Sequence, residues 1–338
     1  MKTGIDILEN EIVEQYPDVL QILLRDHTTQ KNIFWATSNY EHLGEAYSFN
    51  AQIFPELITG DNGNIIMPRI HKDKLLQQSR SKGMAEVFTP SWICNAQNNL
   101  IDTAWFGRNN VFNTEIPQDT GSYTWDVNEE NIAFPKGKAW RDYIRDTRLE
   151  MACGEGPYIT SRYDSTTGEF IPVANRIGIL DRKLRVINEN VDSTGEWLKA
   201  AQIAYKNTYA FEWQGDSLLL AREAMVVTFI ENYTHKFGKE PLLKSLDYIA
   251  YIISWNVWQM DGLKGVIPKS CGGVTITDVD LFGNLKTDNN FCKGCLDNTI
   301  FRHNGTYCLI KDWSNKDLKT GKTGRKIKFI DLLKNKVI

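Results

Sequence analysis

The sequence has no apolar run long enough to cross a bilayer. Its most apolar stretch, residues 248–260 (YIAYIISWNVWQM), is short and interrupted by Ser254, Asn256 and Gln259, whereas a spanning helix needs about 20 apolar residues. The opening MKTGIDILENEIVEQY carries acids where a signal peptide has its apolar core. Both absences predict a cytoplasmic protein with no membrane partner. Neither charge dominates: 39 Lys and Arg against 42 Asp and Glu leave a net of −3. A global basic field is therefore excluded, and any nucleic-acid contact must come from a local patch or a partner. Internal repeats and low-complexity tracts are absent too.

What is present is globular in type. Apolar residues make up 42% and charged residues 24% of 338 positions, close to the average for folded domains. That length allows about two domains at roughly 150 residues each. In a reducing compartment the six cysteines read as metal ligands or buried thiols rather than disulfides.

Residues 7–24 space Ile7, Leu8, Ile12, Val13, Val19, Leu20, Leu23 and Leu24 at helical intervals. Asp61-Asn62-Gly63-Asn64 reads as a tight turn between extended segments, and 71–84 as a polar helix or connector. Thr89 is placed to cap a helix starting at Pro90 and running through Trp92, Ile93, Ala96, Leu100 and Ile101. Residues 107–140 read as loop. Periodic helices follow at Ile179–Asn190 and 216–233, with a strand-like run at 208–213 and a buried strand or helix at 248–257. Alternation of strand and helix over 145–268 predicts an α/β sheet. Past Pro268 the long apolar segments stop. The expected organisation is a mostly helical region 1–80, an α/β domain 81–268, a cysteine-bearing segment 269–315 and a basic tail 316–338.

Two features carry chemistry. The first is Glu150-Met151-Ala152-Cys153-Gly154-Glu155-Gly156-Pro157-Tyr158, whose glycines let backbone approach a ligand closely. A lone GxG occurs in many turns. Glu212 ends the next apolar run, where dinucleotide folds place an acid on ribose hydroxyls, although the gap exceeds the usual 20 or so residues and requires an insertion at 161–205. Asp261, before Gly262, is either a third ligand acid or a turn residue. Cys94 and Cys153 read as buried small side chains, not nucleophiles.

Phe88-Thr89-Pro90, the Gly-rich loop, Phe211-Glu212 and Asp261-Gly262-Leu263, in that order, resemble the cofactor motifs of S-adenosylmethionine-dependent DNA adenine methyltransferases of restriction–modification systems. The resemblance covers residues 80–268. It implies a Rossmann-like methyltransferase fold, with Phe88, Thr89 and Pro90 at the methionine end of the cofactor. It also implies that Glu150, Cys153, Gly154, Glu155, Gly156, Pro157 and Tyr158 wrap the cofactor, Glu212 holds its ribose and Asp261 reads its adenine. The family's (N/D/S)PP(Y/F) tetrapeptide, which binds the flipped base, has no counterpart, because no two of the 10 prolines are adjacent. Only the cofactor half of the fold is therefore expected, with no assigned catalytic residue, DNA as substrate and a second subunit supplying the rest. The alternative is a non-catalytic cofactor- or nucleic-acid-binding module. A nuclease built on Asp181-Arg182-Lys183 is a third, weaker option.

The second feature is the cysteine cluster. Cys271, Cys292, Cys295 and Cys308 are spaced C-x20-C-x2-C-x12-C, which predicts a small four-cysteine zinc-binding segment of structural type. His303 could replace one cysteine. The ion would supply folding energy that this apolar-poor segment lacks. Lys311, Lys316, Lys319, Lys322, Arg325, Lys326 and Lys328 form a basic tail able to meet phosphates or simply to face solvent.

Overall fold

The computed structural model describes residues 6–7, 9–72, 89–272, 274–279, 285–318, 320–321 and 323–334, with backbone alone over 274–279 and 285–290. Two short helices, α1 (Glu9–Gln15) and α2 (Pro17–Leu24), account for the helical spacing over 7–24. Pro17 lacks the N–H that a continuous helix would require and opens the second one instead. A two-residue ladder follows, β1 (Arg25–Asp26) against β2 (Lys31–Asn32). The turn at 60–62 is a single 3-10 turn rather than a hairpin.

Helix α3 (Ser91–Phe106) forms where expected, but its buried face is polar. Asp164, not Thr89, caps it, accepting the Ser91 N–H at 2.8 Å. Burial alone would raise the Asp164 pKa; bonds from the Thr166 hydroxyl and the Ser91 and Thr167 amides pull it down to about 2. Leu100 and Ile101 face outward, while Asn95, Asn98 and Asp102 are buried. The cause is Arg182, whose guanidinium donates to Asp102 Oδ2 (2.6 Å), Asn95 Oδ1 (2.8 Å) and Asn99 Oδ1 (2.8 Å). A buried charge needs such partners, and α3 supplies them from one side.

Residues 107–140 are not all loop. β3 (Asn113–Pro117) and β4 (Tyr123–Val127) form an antiparallel hairpin. β3 lacks the apolar alternation that marks a half-buried strand, and β4 (YTWDV) shows it over only five residues.

The centre is a parallel sheet of three strands in sequence order: β5 (Arg148–Met151), β6 (Thr208–Glu212) and β7 (Val257–Gln259). α4 (Trp140–Arg145) leads into it. α5 (Ile179–Asn190) and α6 (Thr194–Lys206) connect β5 to β6, occupying the predicted insertion. α7 (Gly215–Phe237) and α8 (Leu243–Asn256) connect β6 to β7. Gly238, at φ 65°, ends α7 in the left-handed conformation that glycine adopts freely.

Beyond β7 come the hairpin β8 (Val274–Val279) and β9 (Leu285–Asn290), the turn-length α9 (Lys293–Leu296), the hairpin β10 (Leu309–Lys316) and β11 (Thr323–Lys328), and α10 (Asp331–Lys334). Trp313 of β10 donates to Asn256 Oδ1 at 2.7 Å and joins the main core. The composition change past Pro268 thus does not separate β10 from the sheet domain. Residues 9–72 share that core as well, through Ile12, Leu20, Trp35 and Ile58.

Three buried charges shape this core. Arg222 of α7 donates to the carbonyls of Val257 (2.8 and 2.6 Å), Ser254 (3.3 Å), Arg25 (3.1 Å) and Leu23. Burial brings its pKa down to about 10. Lys183 donates to the carbonyls of Asp146 (2.7 Å) and Asn207 (2.8 Å), just ahead of β5 and β6, and burial brings it to about 7. Asp181 is equally enclosed, accepting the Ser161 N–H at 2.7 Å. Both members of the proposed nuclease pair are therefore internal struts.

Glu9 and Glu223 form a further, unsatisfied group. Both are buried, and neither carboxyl finds a hydrogen-bond donor among the described residues. Burial raises both pKa values, that of Glu9 to about 9. A raised acid pKa favours folding while the proton stays on. Stability is thus full below the ordinary carboxyl range, near 4.5, and falls as pH climbs through about 9. Glu223→Gln is expected to flatten the melting temperature against pH over that window. A curve with the wild-type slope would contradict this assignment.

Candidate functional site

The carboxyl ends of the three parallel strands bring the predicted motifs together. In open α/β sheets this edge is where ligands bind. Past β5 the chain turns sharply. Ala152, Gly154 and Gly156 sit at φ 53°, 54° and 79°. Glycine adopts that region without cost, but Ala152 is strained there. The Cys153 N–H donates to the Phe211 carbonyl (3.0 Å), folding the loop over β6. A Cβ added at Gly154 would meet no atom within 4 Å, so the backbone there faces open space. At Gly156 it would lie 3.4 Å from the Ala221 Cβ, which shows how closely the loop approaches α7.

Glu212 ends β6 and points back at the loop. Its Oε2 accepts the Gly154 N–H (2.8 Å) and its Oε1 accepts the Gln214 N–H (3.2 Å). Burial raises its pKa, opposed by those amides. Each oxygen retains a second lone pair. Glu150, half-buried on β5, is pushed up to about 7 by desolvation. The Met260 N–H donates to the Glu212 carbonyl (2.9 Å), which sets Asp261 at the end of the neighbouring strand. Asp261, however, organises its own turn. Its Oδ1 accepts the N–H groups of Leu263 (3.1 Å) and Lys264 (3.2 Å), and Lys264 Nζ lies 3.4 Å from Oδ2.

The other predicted residues divide. Glu155 accepts the Arg69 N–H (2.7 Å) and the Tyr163 hydroxyl (2.9 Å), anchoring the N-terminal region to the loop. Tyr158 puts its phenol against Thr89 and Cys94, and its carbonyl accepts from Asn98 (3.2 Å) and the Ile179 amide (2.8 Å). The Thr89 carbonyl accepts the Ser165 hydroxyl at 2.9 Å. Thr89 therefore lies beside Tyr158, while Phe88 lies outside the described residues. Burial pushes the Cys153 thiol well up and that of Cys94 to about 12, so neither is a nucleophile at neutral pH.

A second site gathers Cys271, Cys292, Cys295 and His303, whose ligand atoms all lie within 4.8 Å of one another. The fourth member differs from the all-cysteine set. Cys308 is fully buried with the second apolar cluster, its Sγ 3.4 Å from the Gln259 carbonyl, and desolvation raises its thiol pKa well above normal. His303 takes its place because the chain turns at 300–302 and returns the ring to the knuckle. Its Nδ1 stands 3.6, 3.5 and 3.6 Å from the sulfurs of Cys271, Cys292 and Cys295. Bond lengths of about 2.3 Å to sulfur and 2.0–2.1 Å to nitrogen, at the tetrahedral angle, require an S···N edge of about 3.5 Å. The cluster can therefore hold a metal ion and is compatible with zinc.

Its surroundings fit that geometry. A Cβ on Gly294 would come within 2.6 Å of both His303 N and Nδ1, so only glycine lets the knuckle and the ring meet. The Asn304 N–H donates to Cys292 Sγ (3.3 Å), and Tyr307 Oη holds the His303 amide (2.9 Å). Desolvation opposes ionisation of Cys292, but the Asn304 and Cys295 amides and the His303 ring bring its pKa down to about 6.

No known family, curated protein or solved structure matches the chain. Among the described residues, no helix is long and apolar enough to cross a membrane.

Proposed function

We propose that the chain is the S-adenosylmethionine-binding part of a DNA adenine methyltransferase, with zinc as the structural ion of the cluster of three cysteines and one histidine. One observation carries the first half. The strained loop after β5 and the acid ending β6 meet through the Gly154–Glu212 hydrogen bond, leaving open space above Gly154. Backbone without side chains beside an acceptor-rich carboxylate is what a nucleoside requires. S-adenosylmethionine, when bound, supplies an electrophilic methyl group. Gly154 and Gly156 would let it approach the backbone, Glu212 would accept its ribose hydroxyls, and Thr89 with Tyr158 would close the methionine side. Asp261 contributes less, since its carboxylate is already engaged by its turn.

Such an enzyme needs further strands beside β5 and a base-binding element. β5 is an edge strand, and Leu149 and Met151 on one of its faces are 42% and 70% exposed. That edge and face are where a second subunit would add its sheet. A non-catalytic binding module is the second reading, favoured by the absence of adjacent prolines. Calorimetry with S-adenosylmethionine tests what both share. Saturable binding that Glu212→Ala weakens at least about tenfold, the loss of roughly one hydrogen bond to a charged acceptor, is expected. Binding insensitive to Glu212→Ala would remove the pocket from both readings.

A further inference from the structure

The face opposite Asp312 on the terminal hairpin carries unneutralised positive charge over an aromatic floor. His27, after β1, stacks on Trp255 of α8 at 3.9 Å and 7°, and meets Tyr251 edge-on at 5.9 Å. Lys311 of β10 lies 4.8 Å from the ring centres of Tyr251 and Trp313 and 5.1 Å from that of Trp255. Lys326, its cross-strand neighbour on β11, sits 5.4 Å from Trp255. Lys206 reaches Tyr248 (5.1 Å) and Trp313 (5.3 Å) from the end of α6.

Among the described residues, none of Arg25, Lys206, Lys311 and Lys326 has an ion-pair partner. Arg25 makes only a long 3.5 Å bond to Gln30. Asp26 is turned inward and accepts the Thr28 and Thr29 amides. Asp312, adjacent to Lys311, projects to the other face as strand alternation requires, where Arg325 lies 3.9 Å away. His27 records the field. Burial and the nearby Arg222, Arg25, Lys311 and Lys326 drive its pKa down to about 3, leaving it neutral. Residues 311–334 hold eight Lys and Arg against three Asp in a chain whose net charge is −3.

Lys311 is buried and its ammonium donates to the Tyr251 hydroxyl (2.5 Å), so the cations left to meet an external anion are Arg25, Lys206 and Lys326. We propose that this face, with Arg25, Lys206 and Lys326 as its accessible cations beside the half-buried His27 and above the buried Lys311, docks the phosphate backbone of DNA. The proposal rests on the DNA substrate of the methyltransferase reading and needs no cofactor; the face lies at the amino ends of β6 and β7, where α6 and α8 end, so it grips duplex backbone away from Gly154 and Glu212. Backbone phosphates are bound mainly by Lys and Arg with release of counterions.

The test is fluorescence anisotropy of the full chain with a labelled DNA duplex, without S-adenosylmethionine, across a salt series. The triple variant Arg25→Ala, Lys206→Ala, Lys326→Ala is expected to lose at least about tenfold in affinity, and its salt slope is expected to shrink by about two to three units. A triple variant of the exposed Lys136, Lys199 and Lys239 should behave like wild type. Lys326→Glu alone, at an exposed position, guards against a folding defect and should weaken binding several-fold. Equal losses in both triple variants, no binding by the wild type, or equally tight binding of polyglutamate would overturn the proposal. Cofactor calorimetry on the same variants stays unchanged if only the docking face is wrong.

Discussion

Cys295→Ser empties the cluster of metal, whereas Cys308→Ser leaves it full. Purified wild-type chain is expected to carry about one zinc by elemental mass spectrometry, and Cys295→Ser and His303→Ala near none. Cobalt exchanged into the wild type should give the absorption of a tetrahedral thiolate site. The effect is large because structural zinc contributes about 10–16 kcal/mol of binding free energy in small zinc domains at neutral pH. Ligand loss forfeits much of this and should unfold the segment around α9, detectable as rapid proteolysis there. Gly294→Ala, which leaves every ligand in place, should also weaken metal retention, since its methyl would strike His303. Metal kept by His303→Ala and lost from Cys308→Ser would restore the all-cysteine set and refute the geometry.

Arg222→Met is the second large effect. Its guanidinium satisfies the carbonyls of Leu23, Arg25, Ser254 and Val257 at the junction of α2, β1, α8 and β7. Methionine fills much of the volume but leaves those acceptors buried and unbonded. A loss of about 3–5 kcal/mol is expected, comparable to breaking a buried charge network. In a chain of this size that corresponds to roughly 4–7 °C in melting temperature. Arg222→Lys should recover only part of it, because one ammonium cannot reach carbonyls spread around a planar fork. A melting point within a degree or two of wild type in either variant would show that the junction is held by apolar packing alone.

The sheet was legible because its signals are local. Thr208–Glu212 is an apolar run between two periodic helices, and Gly238 marks the end of α7 by its own chemistry. The loop after β5 was legible from glycine spacing, and its partner Glu212 from its place at a strand end. What escaped was polar and long-range. The buried face of α3 carries Asn95 and Asp102, bound by an arginine 80 or more residues away, and Asn98, which donates to the Tyr158 and Ile177 carbonyls, so apolar periodicity pointed outward there. In the β3–β4 hairpin only Tyr123-Thr124-Trp125-Asp126-Val127 alternates, a five-residue signal inside a Gly-, Asn- and Asp-rich stretch, while its partner Asn113–Pro117 does not. His303 lost to Cys308 on paper because four cysteines outweigh three and a histidine; the turn that returns its ring to the knuckle is set by Gly294, which spacing alone does not reveal. The aromatic bed under His27 joins segments more than 200 residues apart, beyond the reach of any local pattern.

Ultraviolet crosslinking of radiolabelled S-adenosylmethionine, followed by peptide mapping, tests the pocket most directly. Label is expected on peptides spanning 150–158 or 208–213, competed away by unlabelled cofactor and lost when Gly154→Val fills the open space above the loop. Competed label that maps elsewhere, or that survives Gly154→Val unchanged, would contradict the proposed site.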